Sequence, residues 1–270
     1  MEENLLSGLV ESGTINAIRY FQSIGSTNTE AIAWADEGAI DGSLVVADEQ
    51  TRGRGRFDRR WITKPGSSLA FSLILHPTHE EIARLPLFAP LCGLAVRDAI
   101  STILNLDAQI KWPNDVLLER KKCCGILVEA AWQGATLNSI ILGIGINISE
   151  GSLPPSELQQ FSATALEIAA KRKVDRVEIL KQVLLELHKW RPLLGTPLFF
   201  DQWTAHLAFI GEQVMIVQSE KQSIIGIEKG IDSQGNLVLI LENHEEQTFE
   251  VGDVHLRPLN SSFEPGGQHA

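Results

Sequence analysis

The sequence predicts an α+β fold, in which a mixed β-sheet packed against helices is followed by a small all-β barrel. Three observations carry this. Between residues 109 and 148 four strand-length apolar segments follow one another, split only by polar or turn-forming residues. That pattern suits hairpins better than long crossovers. Helical stretches flank the run, at 80–104 before it and at 156–170 and 175–191 after it. From Gly211 the chain turns into short strands at close spacing, with Gly226, Asp232, Gly235 and Gly252 as turn or bulge residues, up to about Pro258. This reads as a small barrel.

Taken in order, residues 23–37 read as a loop running into a helix, with Thr27 and Glu30 spaced as a capping box. Residues 43–48 form a buried strand, 49–60 have no apolar periodicity and form a loop, and 68–75 form a second strand. A helix covers much of 80–104, with Leu85, Phe88, Leu91, Val96 and Ile100 as its core side. Strands follow at 109–112, 115–118, 125–132 and 137–148, and a short helix at 198–208 closes the first domain. The barrel strands fall at 213–218, 223–228, 236–241 and 247–251. The expected division is therefore a catalytic domain at 1–208, a small C-terminal domain at 209–260 and a tail at 261–270 that lacks core residues and is expected to be mobile.

With 270 residues, 44% of them hydrophobic, the chain can bury a sizeable core without disulfides or metal. A formal net charge of −11 argues against broad, sequence-independent binding to nucleic acid, which needs a concentrated positive surface. The three cysteines, Cys92, Cys123 and Cys124, have no CxxC spacing and read as free thiols in a reducing compartment. Seven scattered histidines, with no HxH or HExxH spacing, argue against a zinc site. The acidic N-terminus does not look like a signal peptide, and no run of 18 apolar residues occurs. The expectation is a soluble cytoplasmic protein with no membrane partner.

Against this acidic background, five of the nine residues from 52 to 60 are arginine, around Gly53 and Gly55. Glycine permits close backbone approach, and arginine offers planar forks to carboxylate or phosphate. The segment reads either as a flexible loop that folds over an anionic ligand or as a solvated loop with a minor RNA contact. Its glycines and repelling charges suggest mobility without ligand. Next, Lys111-Trp112-Pro113-Asn114-Asp115 makes a sharp turn between strands, because Pro113 keeps Trp112 out of helical geometry. The turn is expected to aim Asn114 and Asp115 away from the sheet, where they can meet a nucleotide hydroxyl or a magnesium ion, or be an ordinary Asn-Asp turn. Lys122, just before a strand, is either a phosphate-seeking cation or an exposed lysine. Glu129 shares a strand face with Gly125 and either orients basic groups or sits at the rim. Gly143 and Gly145, followed by Asn147, suggest close approach by a ligand or by a neighbouring strand.

The order and spacing of these pieces are more specific than any one of them. Ser26-Thr27-Asn28, Gln50 with Gly53-Arg54-Gly55-Arg56, Lys111 to Asp115, Lys122 with Gly125 and Glu129, and Gly143 with Gly145 and Asn147 resemble the biotin–protein ligase family in its full order. The resemblance runs from about residue 22 to 148, and the strands at 211–258 look like the family's SH3-like C-terminal domain.

That resemblance implies a class II synthetase-like catalytic domain. It implies activation of biotin by ATP to biotinyl-5′-AMP, then transfer to a lysine of a biotin carboxyl carrier domain. It assigns Lys122, Arg54 and Arg56 to catalysis. Ser26, Thr27, Asn28, Gln50, Gly53, Arg54, Gly55, Arg56, Lys122 and Gly125 would bind biotin. Arg56, Arg59, Trp61, Asn114, Asp115, Lys122 and Asn147 would bind ATP, with Asp115 holding Mg2+ and residues near 149–161 covering the adenine. One departure concerns the loop: where the family has GRGRxGR, Asp58 replaces the glycine, which puts the loop's conformation in doubt. No helix-turn-helix pattern precedes Ser26, so a monofunctional ligase without DNA binding is expected, as a possible homodimer. The rivals are a lipoate or octanoyl transferase of the same fold, a nucleic-acid-binding protein and an inactive binding module.

Overall fold

A computed structural model describes residues 3–57, 59–134, 136–155, 161–219, 222–250 and 255–258. Its first sheet has seven strands: β1 (Ala17–Phe21), β2 (Ser43–Ala47), β3 (Ser68–Leu75), β4 (Ala108–Lys111), β5 (Asp115–Leu118), β6 (Lys121–Gln133) and β7 (Thr136–Asn147). Their order is β1-β2-β3-β7-β6-β5-β4. The β1–β2 pair is parallel and the remaining neighbours are antiparallel, so the sheet is mixed as expected.

Both faces of the central strands are covered, which explains why they read as continuous apolar runs rather than as alternating ones. One face meets α4 (Phe88–Leu104) and α6 (Arg176–Trp190) through Leu44, Val46, Phe71, Leu73, Leu142 and Ile144. The other face meets α2 (Thr27–Asp36) through Val45, Ile74 and Ile141, packed on Ala31 and Ala35. The stretch Leu85–Leu104 is apolar enough by composition to span a bilayer, with mean hydropathy 1.5, yet 67% of it is buried inside the fold. It is the core helix of this layer. Cys92, Cys123 and Cys124 are free and buried, and burial pushes the Cys123 thiol up to about 12.

The helical expectations need four corrections. The single helix at 80–104 is three pieces: α3 (His79–Ile82), a 3-10 turn at Leu85–Leu87 and α4. Pro86 lacks the N–H and would clash with the preceding turn, so it sits at the start of a new piece. The capping box at Thr27 and Glu30 does not form. Ser26 is the N-cap and makes no side-chain cap bond, while Thr27 lies inside the helix with its hydroxyl donated to Gln50. The helix expected at 156–170 is described only as α5 (Leu166–Ala170), with 156–160 outside the described residues. Ser162 and Thr164 instead trade main-chain bonds with Lys122, at 2.8 and 2.9 Å. Finally, α7 (Pro197–Ala205) stops before 208. His206 and Ala208 there bond both main-chain groups of Ile110, at 2.7 and 2.9 Å, and shield the open edge of β4.

The C-terminal sheet holds β8 (Gln213–Ser219), β9 (Gln222–Ile231), β10 (Leu237–Ile240), β11 (Glu246–Phe249) and β12 (His255–Pro258). All its pairs are antiparallel, in the order β11-β10-β9-β8-β12, and no β11–β12 pairing closes it among the described residues. Its apolar face, with Val214, Ile216, Leu237, Leu239 and Phe249, joins the same core as Leu87 and Trp203. At the seam, Trp112 Nε1 donates to the Gly235 carbonyl at 3.2 Å. Gly235 is required there, since its φ is +86° and a Cβ would stand 2.8 Å from Leu87. The tail after Asn260 lies outside the described residues.

Candidate active site

Helix α2 covers its face of the sheet as far as the row Ile74–Ile141–Glu129. Beyond its N-terminus the next rows are Ser72–Gly143–Leu127 and Ala70–Gly145–Gly125. Small residues there leave a cavity of about 770 Å³, within the range of small-molecule sites. The chemistry of the walls divides into a neutral end, a cationic end and a roof.

The neutral end gathers around α2's first turn. Gln50 Oε1 accepts from Thr27 N at 2.8 Å and from Thr27 Oγ1 at 3.0 Å. Ser72 Oγ lies 2.8 Å from Thr27 Oγ1 and 2.6 Å from Asn28 Oδ1. Asn28 Nδ2 donates to Leu127 O at 3.2 Å and to Glu129 Oε2 at 2.8 Å. Gly143 has to be glycine for this arrangement, because a Cβ would fall 2.1 Å from Asn28 Oδ1.

At the cationic end the β4–β5 turn, with a cis Trp112–Pro113 bond, faces the start of β6. Asp115 is buried and lies between two ammonium groups: Lys122 Nζ is 2.5 Å from Oδ1 and Lys111 Nζ 3.2 Å from Oδ2. Burial alone would raise the Asp115 pKa, but the charges of Lys122 and Lys111 overcome it and hold the carboxyl well below its ordinary value. Asn114 Nδ2 donates to Ile126 O at 2.6 Å, and Asn114 Oδ1 accepts from Arg56 at 3.3 Å. Asn114 and Asp115 therefore fold back over β6 instead of pointing away from the sheet. Cross-strand pairing of β5 with β6 brings them there. Asn147 donates to Thr164 O at 3.0 Å and supports the segment that flanks Lys122.

The roof is the arginine loop. It folds on itself through Gly55 N to Arg59 O at 2.8 Å and Trp61 N to Gly53 O at 2.9 Å. A Cβ on Gly53 would lie 2.4 Å from the Trp61 carbonyl. Phe57 takes the left-handed conformation, φ +56°, with the Arg56 guanidinium 4.8 Å above its ring. Asp58, the departure noted in the sequence, lies outside the described residues. Trp61 lays its indole on the glycine floor, where a Cβ at Gly145 would be 2.4 Å from the ring. The indole N–H is buried without a hydrogen-bond partner among the described residues. Burial pushes the Arg59 guanidinium below its ordinary value, with Asp115 opposing that shift.

One cavity thus receives Ser26, Thr27, Asn28, Gln50, Gly53, Arg54, Gly55, Arg56, Arg59, Trp61, Asn114, Asp115, Lys122, Gly125 and Asn147, every residue to which the resemblance gave a catalytic or ligand-binding role; Glu129 lies outside its lining. Arg54, Arg56 and Lys122 share it, so the cations are not scattered over separate surfaces. Of the stretch near 149–161 that was expected to cover an adenine, Ser152, Pro154 and Phe161 line the wall, and 156–160 lie outside the described residues. Sequence reading gave no role to Lys111 or Ser72. Lys111 opens its own motif, and Ser72 interrupts an apolar strand on the face that carries Ile74; both were visible signals.

Comparison with known proteins follows the same division. The family model described as biotin/lipoate A/B protein ligase matches residues 20–147, and that of the biotin protein ligase C terminal domain matches 209–257. The bifunctional ligase/repressor BirA of Bacillus subtilis is 36% identical over 231 residues, covering 84% of this chain and 69% of the relative. The biotin–acetyl-CoA-carboxylase ligase of Mycobacterium tuberculosis is 30% identical over 241 residues, covering 86% of each. Among solved structures, the biotin protein ligase of Aquifex aeolicus in complex with biotin and ATP superposes with a TM-score of 0.78 at 27% identity, covering 90% of this chain and 100% of that one.

Proposed function

Because the chain belongs to the biotin–protein ligase family, we propose that its cavity joins biotin to AMP and then passes it to a lysine of a biotin carboxyl carrier domain. In the first step a carboxylate oxygen of biotin attacks the α-phosphorus of ATP. A C(O)–O–P bond forms, the Pα–O–Pβ bond breaks, and pyrophosphate leaves with the electron pair. In the second step the neutral ε-amine of the carrier lysine attacks the acyl carbon. The amide bond forms, the anhydride C–O bond breaks, AMP departs, and the amine's proton goes to solvent.

The observation that carries this reading is the polarity of the cavity. Thr27, Asn28 and Gln50 supply neutral donors and acceptors suited to a ureido ring, and the buried Ser72 supports Thr27 and Asn28 from behind. Gly125, Leu127, Gly143 and Gly145 give an apolar floor for the rest of the vitamin. Arg56, Arg59, Lys111 and Lys122 meet at the other end, where a carboxylate and a triphosphate must approach each other. Two anions react slowly in water because their charges repel, and prearranged cations remove that barrier without reorganising during the reaction. The Trp61 N–H, without a partner among the described residues, offers one further donor to a ligand. In this scheme Lys122 bears on the reacting carboxylate and phosphate, Arg56 and Arg59 hold phosphates, and the loop shields the anhydride from water.

Asp115 does not fit a metal-ligand role, since both its oxygens are engaged by ammonium groups. No cluster of three metal-binding side chains occurs among the described residues. The role that fits Asp115 is to position Lys122 and Lys111. Magnesium, which binds chiefly through phosphate oxygens and water in such sites, would enter with the nucleotide.

Biotin-dependent exchange of labelled pyrophosphate into ATP tests the proposal. The parent protein should show it, and Lys122→Ala should reduce it by about a hundredfold or more. Lys111 still pairs with Asp115 in that variant, so its fold should persist. Exchange supported by lipoate and not by biotin would replace this reading with the lipoate one.

A further inference from the structure

We infer that Glu129 is a positioning residue that fixes the arginine loop over the cavity, acting through Arg54. The inference rests on the ligase reading of the cavity. Glu129 stands on β6 two residues beyond Leu127, on the same face, where the small-residue floor ends. It is not among the cavity's lining residues, and the chemistry proposed above does not use it. Its Oε2 accepts from Asn28 at 2.8 Å and also pairs with Arg54 Nη2.

Followed outward, these partners form a circuit. Arg54 pairs with Glu129, Glu129 with Asn28, Asn28 with Ser72, Ser72 with Thr27, and Thr27 with Gln50. Gln50 and Arg54 are four residues apart at the base of the loop. Four separate pieces of chain (loop, β6, α2 and β3) are thereby joined into one ring around the neutral end of the cavity. Asn28 cannot easily change sides within it. Its Oδ1 faces Ser72, and its amide hydrogens go to Leu127 O and Glu129. Glu129 is therefore held from within, while the Arg54 side chain, 43% exposed, is the member at the solvent edge.

Two physical consequences point the same way. A loop already tied to the floor gives up less freedom when a ligand arrives, which favours affinity. A carboxylate left without a cation would put a bare charge beside the neutral end, and Arg54 neutralises that charge locally. Exposed ion pairs contribute little by themselves, but a pair built into a hydrogen-bonded network contributes more. The effect belongs in ligand binding and loop closure, not in the bond-making step.

The test is a double-mutant cycle read by biotin-dependent pyrophosphate exchange on the full chain. Glu129→Ala should raise the KM for biotin about tenfold, with kcat changed by no more than about twofold. In an Arg54→Ala background the same change should raise KM by only about threefold, because Arg54 is already gone and only the bond to Asn28 is left to lose. Glu129→Gln keeps an acceptor for Asn28 but no charge for Arg54, and should fall between; it also serves if the alanine variant does not fold. Equal fold-changes in both backgrounds, an unchanged KM, or a loss confined to kcat would each overturn the assignment. If the parent protein shows no biotin-dependent exchange, the ligase reading fails instead.

Discussion

Asp115 shows how a single residue can serve both stability and chemistry. Its carboxylate is out of water and touches two ammonium groups, and their charge outweighs the effect of burial on its pKa. A carboxylate depressed in the fold adds stability above its ordinary value of 3.8. That contribution disappears as the pH falls through the lower folded value. Asp115→Asn leaves Lys111 and Lys122 facing each other without the charge between them. We expect a loss on the order of 3–5 kcal/mol at pH 7, the usual cost of breaking a buried pair from one side. Urea midpoints should show it, and the gap to the parent protein should narrow below about pH 4. Equal midpoints at pH 7 would contradict the positioning role given to Asp115.

Two elements, the glycine floor and the arginine loop, make sense only together. Alternating glycines on β7 admit Asn28 at one position and the Trp61 ring at the other. Trp61 in turn holds the loop through its main-chain bond to Gly53. Gly145→Ala would place a methyl group 2.4 Å from the ring, well inside van der Waals contact, so the ring must leave the floor and the loop must shift with it. The expected result is a biotin KM raised about tenfold or more with the melting temperature within a few degrees of the parent. Trypsin should also cut faster at the arginines of the loop in this variant, and biotin with ATP should slow cutting in the parent. An unchanged KM would show that the ring's seat does not matter to the ligand.

Across the whole molecule, the second sheet braces the site from behind. Trp112, in the turn that presents Asn114 and Asp115, bonds to Gly235 of the C-terminal unit. Near this seam Glu228 of β9 is buried, with neither carboxylate oxygen partnered among the described residues. Burial raises its pKa to about 8; Lys111 opposes that shift and Glu212 adds to it. A carboxyl raised in the fold means that the native state holds the proton more tightly than the unfolded chain. Its contribution to stability is therefore full below the ordinary value of 4.5 and lost as the pH rises through about 8. Glu228→Gln should match the parent near pH 4 and exceed it at pH 9 by on the order of 2–4 kcal/mol. Calorimetry at the two pH values checks this, and a variant no more stable at pH 9 refutes it.

The sequence by itself determined the two sheets and the basic loop, and its resemblance to a family named the residues that meet in the cavity. The sheets and the loop are written locally: strand-length apolar runs, turn residues between them, and charge concentrated against an acidic background. Pro86 in the sequence also marks the break between the 3-10 turn and the helix before it. Only the tertiary structure decided that the Thr27 hydroxyl serves Gln50 instead of capping its helix, that Lys111 shares Asp115 with Lys122, that 162–164 lies extended beside Lys122, and that Glu129 holds both Asn28 and Arg54. Each of these depends on partners from other segments, brought together by strand register and by where a helix ends. Backbone periodicity is a property of neighbours along the chain, whereas hydrogen bonds and ion pairs go to whatever the fold places within about 3 Å. The sequence can supply the groups, but their pairing exists only once the chain is folded.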